Sequence, residues 1–125
     1  MPHFYDDTHK ARYEELLEAY NAHQDHARAA LAYLIALTDE TYNHRKSLYN
    51  EQEQCIIPEG LNEAFQTGTT TRLTLLAFNL FTGSTAFCDD DVSKNACTPD
   101  NIFCCELGLY FMEALKVRYG YWYIL

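Results

Sequence analysis

A chain of 125 residues that is 48% apolar and 14% aromatic is too hydrophobic for disorder and long enough to bury a core without metals or disulfides. Its 18 acidic and 9 basic residues give a formal charge of −9, which repels nucleic-acid phosphates and anionic membrane surfaces. The N-terminus, MPHFYDDTHK, has no basic stretch followed by an apolar run, and no segment is long and apolar enough to span a bilayer, so a cytoplasmic protein is expected.

Asp6, Asp7 or Thr8 can cap a first helix, whose Tyr13, Leu16, Leu17 and Tyr20 fall at helical spacing on one apolar face. Asn21 to Gln24 interrupts the pattern, and Asp25 reads as the cap of a second helix carrying Ala27, Ala30, Leu31, Leu34 and Ile35. Its small alanines admit a close neighbour. Thr38 and Asp39 open a third, shorter helix reaching about Leu48. Asn50 to Gln54 is a polar turn before the β-prone Cys55-Ile56-Ile57, so a small hairpin packed on helices is predicted near residues 49–57. Pro58-Glu59-Gly60 punctuates the chain, and Leu61 to Phe65 reads as one helical turn.

After Gln66-Thr67-Gly68, Thr69 or Thr70 is expected to cap the most apolar helix, with Leu73, Leu76, Ala77, Leu80 and Phe81 inward and Gly83 as its terminator. That helix is expected to be central. Ser84 to Cys97 is a loop with an acidic tip at Asp89-Asp90-Asp91. Thr98-Pro99-Asp100 is the sharpest start signal, combining a capping Thr, Pro at the first helical position and an acid in the first turn. The last helix is expected to run unbroken to about Tyr119, with Ile102, Phe103, Leu107, Tyr110, Phe111, Ala114 and Leu115 inward. These elements predict a mainly α fold, a compact single domain over residues 1–125 built from four or five helices.

Several strings resemble a family of small uncharacterised proteins of Firmicutes, found in phage and mobile-element neighbourhoods. They are Pro58-Glu59-Gly60-Leu61-Asn62, Gln66-Thr67-Gly68-Thr69, Leu76-Ala77-Phe78-Asn79-Leu80-Phe81 and Thr98-Pro99-Asp100-Asn101-Ile102-Phe103-Cys104-Cys105. Tyr110-Phe111 and Lys116-Val117-Arg118-Tyr119 extend the likeness, which covers Phe4 to Tyr119. The resemblance implies a bacterial or phage origin and no catalytic residues. Small proteins of such neighbourhoods include inhibitors of host defence, anti-CRISPR proteins among them.

Residues with chemical potential mostly lack the spacing that chemistry needs. His23 and His26, with His44, could share a metal, but Asp25 as a cap places the first two across a helix boundary. Cys88, Cys97, Cys104 and Cys105 lack the paired knuckles of a zinc site, and neighbours on one helix point ~100° apart. Cys104 or Cys105 is expected to be a small core residue, and a Cys88–Cys97 disulfide is conceivable on air oxidation, without functional meaning. No nucleophile motif, P-loop or dinucleotide fingerprint occurs, so neither an enzyme nor a cofactor is expected.

Two binding readings remain. Thr67, Gly68, Thr69 and Arg72, at a helix start, could hold an anion. Ten tyrosines, four aromatics at Tyr119, Tyr121, Trp122 and Tyr123, and the acidic Asp89, Asp90 and Asp91 point instead to a protein partner. The leading expectation is a protein-binding module that occupies a partner's surface, such as a component of a host defence complex. A small-ligand binder or a structural homo-oligomer is the alternative.

Overall fold

The computed structural model describes residues 2–88 and 96–120. The chain is mainly helical, with one antiparallel two-stranded hairpin. In chain order α1 is Asp7–Ala19, α2 is His26–Ile35 and α3 is Asp39–Asn43, followed by a 3-10 turn at Arg45–Ser47. Strands β1 (Tyr49–Asn50) and β2 (Cys55–Ile56) and a second 3-10 turn at Pro58–Asn62 lead to α4 (Gly68–Thr82). Helices α5 (Pro99–Ile102) and α6 (Gly108–Tyr119) complete the described structure. Among the described residues no helix is long and apolar enough to cross a membrane.

Helix α2, rather than α4, is central. Every residue from Ala29 to Ile35 is buried, and α1, α4 and α6 all pack against it. Four alanines within this run or beside it keep the helix thin, so three neighbours approach on different sides. A helix that is apolar all round belongs in a core rather than on a surface. Helix α4 buries a broad face from Leu73 to Phe78 plus Leu80, while Phe81 at its end is only half-buried.

Caps hold most helix starts where short polar side chains stand. Asp6 caps α1, Asp25 caps α2 and Thr38 caps α3, each accepting from a backbone N–H in the first turn. The α4 cap is Thr67, earlier than Thr69 or Thr70. Thr67 Oγ1 accepts from the Thr70 N–H (3.1 Å) while Thr70 Oγ1 accepts from the Thr67 N–H (2.8 Å). This reciprocal box satisfies two otherwise orphaned donors. Gly83, at φ +71°, ends α4 in the left-handed conformation expected of it.

Two helices stop sooner than their sequence pattern predicts, and side chains bond carbonyls at both breaks. Helix α3 ends at Asn43 rather than Leu48. The His44 Nδ1–H donates to the Glu40 carbonyl (2.9 Å), and Arg45 Nη1 donates to the Tyr42 carbonyl (2.9 Å). The last helix is split between α5 and α6, and there Arg72 Nε on α4 donates to the Asn101 carbonyl (2.9 Å), which also accepts from the Cys104 N–H (3.3 Å). Cys104 and Cys105 therefore stand on a turn. Cys104 is exposed, so it is no core residue, and Cys105 is half-buried.

The hairpin forms as predicted, with Tyr49 opposite Ile56 and Asn50 opposite Cys55. Asn50 Oδ1 accepts from the Gln52 and Glu53 N–H groups (both 3.0 Å), and Gln54 turns the chain at φ +55°. Two residues per strand cannot stand alone. Buried Tyr49 anchors them by packing on Tyr20 (4.5 Å between ring centres) and Phe81 (5.5 Å).

The Pro58–Asn62 turn presses its backbone on the loop before β1. A Cβ on Gly60 would lie 2.4 Å from the Ser47 carbonyl oxygen and 2.7 Å from Leu48 Cδ2. Gly60→Ala is therefore expected to cost roughly 1–3 kcal/mol through overpacking. Urea unfolding followed by circular dichroism measures it, and an unchanged midpoint would contradict this close approach.

Candidate protein-binding site

The buried histidine missed by the sequence reading organises one end of the molecule. His9 is 1% exposed. Its Nδ1 faces the Tyr5 N–H (3.1 Å), which can only donate, so Nδ1 accepts. Nε2 therefore carries the proton and donates to the Tyr33 carbonyl (2.9 Å). That carbonyl lies in the last turn of α2, where the Leu37 N–H turns to Leu34 instead of Tyr33. Thr41 Oγ1 serves the neighbouring Ile35 carbonyl in the same way (2.9 Å). Two buried side chains thus finish the C-terminus of the central helix.

The same contacts pin the N-terminal lead-in. Phe4 packs on the rings of His9, Tyr13 and Tyr33 at 5.2, 5.5 and 6.0 Å. Tyr33 donates its hydroxyl proton to the His3 carbonyl (2.5 Å), and the His3 N–H donates to Glu113 of α6 (3.1 Å). Burial pushes the Glu113 carboxyl up, but the His3 N–H and Lys116 outweigh it and hold the group below its usual range. The lead-in so fixed sets Tyr5 against Tyr110 of α6 (5.4 Å between ring centres).

Tyr5 and Tyr110 form one wall of a cleft of about 890 Å³, bounded by the starts of α1, α3, α4 and α6. Leu37 and Leu107 supply buried apolar surface, and Asp39, Glu40 and Glu106 stand as carboxylates around the mouth. Arg12 is the cation there. It is bonded to Asp39 (2.7 Å) and lies over the Tyr42 ring (4.6 Å), which Arg45 also covers (4.3 Å). The Tyr42 hydroxyl donates to Glu15, and this bond, with burial, raises its pKa.

Beside the cleft, α6 shows apolar side chains to solvent. Leu109 is 75% exposed and Met112 is 53% exposed, and Leu109 shares the cleft lining with Tyr5, itself 56% exposed. Leu109, Met112, Lys116 and Tyr119 recur at intervals of three and four, along one side of the helix. Sequence reading took the opposite, inward face correctly through Phe111 and Ala114, which are buried. Leu109 and Met112 were legible as apolar residues outside that face.

The predicted site residues have separate fates. Tyr119 is half-buried on α6, with the Arg118 guanidinium 4.8 Å from its ring. Asp89, Asp90, Asp91, Tyr121, Trp122 and Tyr123 lie outside the described residues. Thr67, Gly68, Thr69 and Arg72 stand together at the start of α4. Thr67 is engaged in the capping box, and Arg72 folds back so that its Nη1 lies 3.2 Å from where a Gly68 Cβ would stand. Gln66 buttresses the turn, bonding Gly60 O (3.0 Å), Thr74 Oγ1 (3.2 Å) and Thr70 Oγ1 (2.7 Å). Much of the tyrosine surplus serves packing: Tyr13, Tyr20, Tyr33 and Tyr49 are buried.

Nor do the histidines converge. His23 Nε2 meets Glu18 (3.1 Å), while His44 stacks on Phe65 (4.2 Å between ring centres). Among the described residues, no three of His, Cys, Asp and Glu form a group that could hold a metal.

Fold and site together define a small helical domain with an acid-rimmed cleft and an exposed apolar helix face. The chain belongs to a family of unknown function, DUF6075, whose model matches residues 1–123. No curated protein and no solved structure matches it.

Two outcomes follow from this arrangement. Desolvation lowers the His9 pKa from the ordinary 6.5, with Arg12 adding to the effect and the Tyr33 carbonyl and Asp6 opposing it. The unfolded chain then binds the extra proton first as pH falls. Stability should hold above about pH 6.5 and decline below it toward the depressed folded value. His9→Gln should flatten that decline in thermal melts at a series of pH values, and an unchanged profile would clear His9 of the role. Thr67→Ala should cost about 1 kcal/mol in urea unfolding by removing the α4 cap.

Proposed function

We propose that this chain is a small protein-binding module, which docks through the exposed face of α6 and the adjoining cleft. The observation that carries the proposal is the outward placement of Leu109 and Met112 on α6, with Leu109 and Tyr5 both lining a cleft that carboxylates also line. Apolar area of this kind, bordered by polar groups, suits a partner surface. The carboxylates of Glu40 and Glu106, with the formal charge of −9, favour a segment bearing Lys or Arg around an apolar anchor. Tyr119 lies on the same side of α6, and the aromatic Tyr121, Trp122 and Tyr123 that follow in sequence would enlarge the contact.

The finer reading is an inhibitor of a host defence complex, carried by phage or mobile DNA and acting in the bacterial cytoplasm by surface occupation. The resemblance to phage and mobile-element proteins supports it, as does an acidic surface suited to the basic grooves of nucleic-acid-handling complexes. The acidic Asp89, Asp90 and Asp91 would contribute to such a contact.

The test is affinity capture from lysate of the host, comparing the unaltered chain with Leu109→Asp/Met112→Asp and with a second variant in which Tyr121, Trp122 and Asp89–Asp91 are replaced by Ala. Leu109 and Met112 are exposed, so the first pair should leave the helical circular dichroism intact. It should reduce recovery of the partner at least about tenfold, the effect of losing roughly 1.4 kcal/mol or more at an interface centre. Capture should also weaken as salt is raised. Undiminished capture by both variants would overturn the proposed surface.

A further inference from the structure

We infer that Cys88 and Cys97 are a dithiol that sustained peroxide oxidises to an intramolecular disulfide, tying the stretch after α4 to the turn that opens α5. Their sulfurs lie 3.7 Å apart, although the residues are nine positions apart in sequence. A disulfide bond is about 2.05 Å long, so the remaining gap is roughly 1.6 Å, within reach of small side-chain rotations.

Each thiol is held from its own side. Cys88 is 5% exposed, its N–H donates to the Thr85 carbonyl (3.0 Å), and neighbouring Phe87 packs edge-on against Phe78 of α4 (5.6 Å between ring centres). Cys97 is half-buried on the turn before Thr98. That turn is fixed by Asn101, whose Nδ2 donates to the Ala96 carbonyl (2.7 Å) and whose own carbonyl accepts from Arg72. Bonding the sulfurs would join two positions that the fold already places side by side. The other thiols are set differently: Cys55 and Cys104 are exposed, and Cys105 Sγ faces the Ile102 carbonyl (3.8 Å).

The chemistry balances with hydrogen peroxide as the oxidant. The more accessible Cys97 sulfur attacks one peroxide oxygen, the O–O bond breaks, and Cys97 sulfenic acid and one water result. The Cys88 sulfur then attacks Cys97 sulfur. The S–S bond forms, the S–O bond breaks, and the departing hydroxide leaves with the Cys88 proton as a second water. Two thiols lose two electrons and one peroxide becomes two waters. Burial, together with the Cys88 contact, pushes the Cys97 thiol up to about 12. Thiolate is scarce at neutral pH, so the pair resists brief exposure and responds to prolonged oxidant.

The experiment treats the full chain with excess hydrogen peroxide for hours, then compares it with the dithiothreitol-reduced protein. Non-reducing peptide mapping should show the Cys88 and Cys97 peptides joined, with a loss of about 2 Da that dithiothreitol restores. The melting temperature should rise by roughly 5–10 °C on oxidation. Cys88→Ser and Cys97→Ser should each abolish both the link and the rise while leaving the reduced melting temperature within a few degrees. Links through Cys55, Cys104 or Cys105, sulfinic acid at Cys97 in place of the bridge, or an equal rise in the serine variants would each overturn the inference.

Discussion

Enclosure of α2 is the constraint on which the rest of the structure depends. Seven successive buried residues leave this helix no face for water, so α1, α4 and α6 must all be in place around it. Burying an apolar helix is favourable, but its last carbonyls are buried with it and must find donors. His9 of α1 and Thr41 of α3 supply them. Satisfying the central helix therefore also fixes the neighbours at one end, and the cleft lies where those neighbours begin.

The exposed face of α6 is a by-product of that solution. His9 uses one ring nitrogen on the central helix and the other on the Tyr5 N–H, so the N-terminal lead-in is held by the same side chain that finishes the core. Helix α6 turns Phe111 and Ala114 inward and consequently turns Leu109 and Met112 outward. Membership in a family of unknown function attaches no chemistry to these residues. The case for a binding role consequently stands on exposure and charge.

Local signals were legible wherever neighbouring residues settle the structure. The caps Asp25 and Thr38, the Gly83 terminator, Pro99 at the start of α5 and the hairpin near residues 49–57 could all be read from the chain, although Thr98 makes no side-chain cap bond. Features decided at a distance could not. The bond that Arg72 makes at the break between α5 and α6 joins residues twenty-nine positions apart. The centrality of α2 depends on which helices surround it, since α4 has a similar apolar richness and its own buried run from Leu73 to Phe78. The candidate site was less legible for the same reason: Tyr119 was named from the aromatic cluster alone, and Leu109 and Met112 acquire meaning only once the inward side of α6 is known. Thr67 and Arg72 carried a plausible anion pattern, and in the fold they serve the capping box and the Asn101 carbonyl.

The order of the enclosing helices bears on how the chain is made. Helix α2 ends at Ile35, while α6, which covers another of its sides, begins only at Gly108. During synthesis the alanine- and leucine-rich α2 emerges long before that cover exists. Contacts so distant in sequence carry a loop-closure penalty before they return any stabilisation. The nascent chain thus passes through a stage with an uncovered apolar helix, the kind of surface that chaperones bind and that aggregates when synthesis outpaces folding.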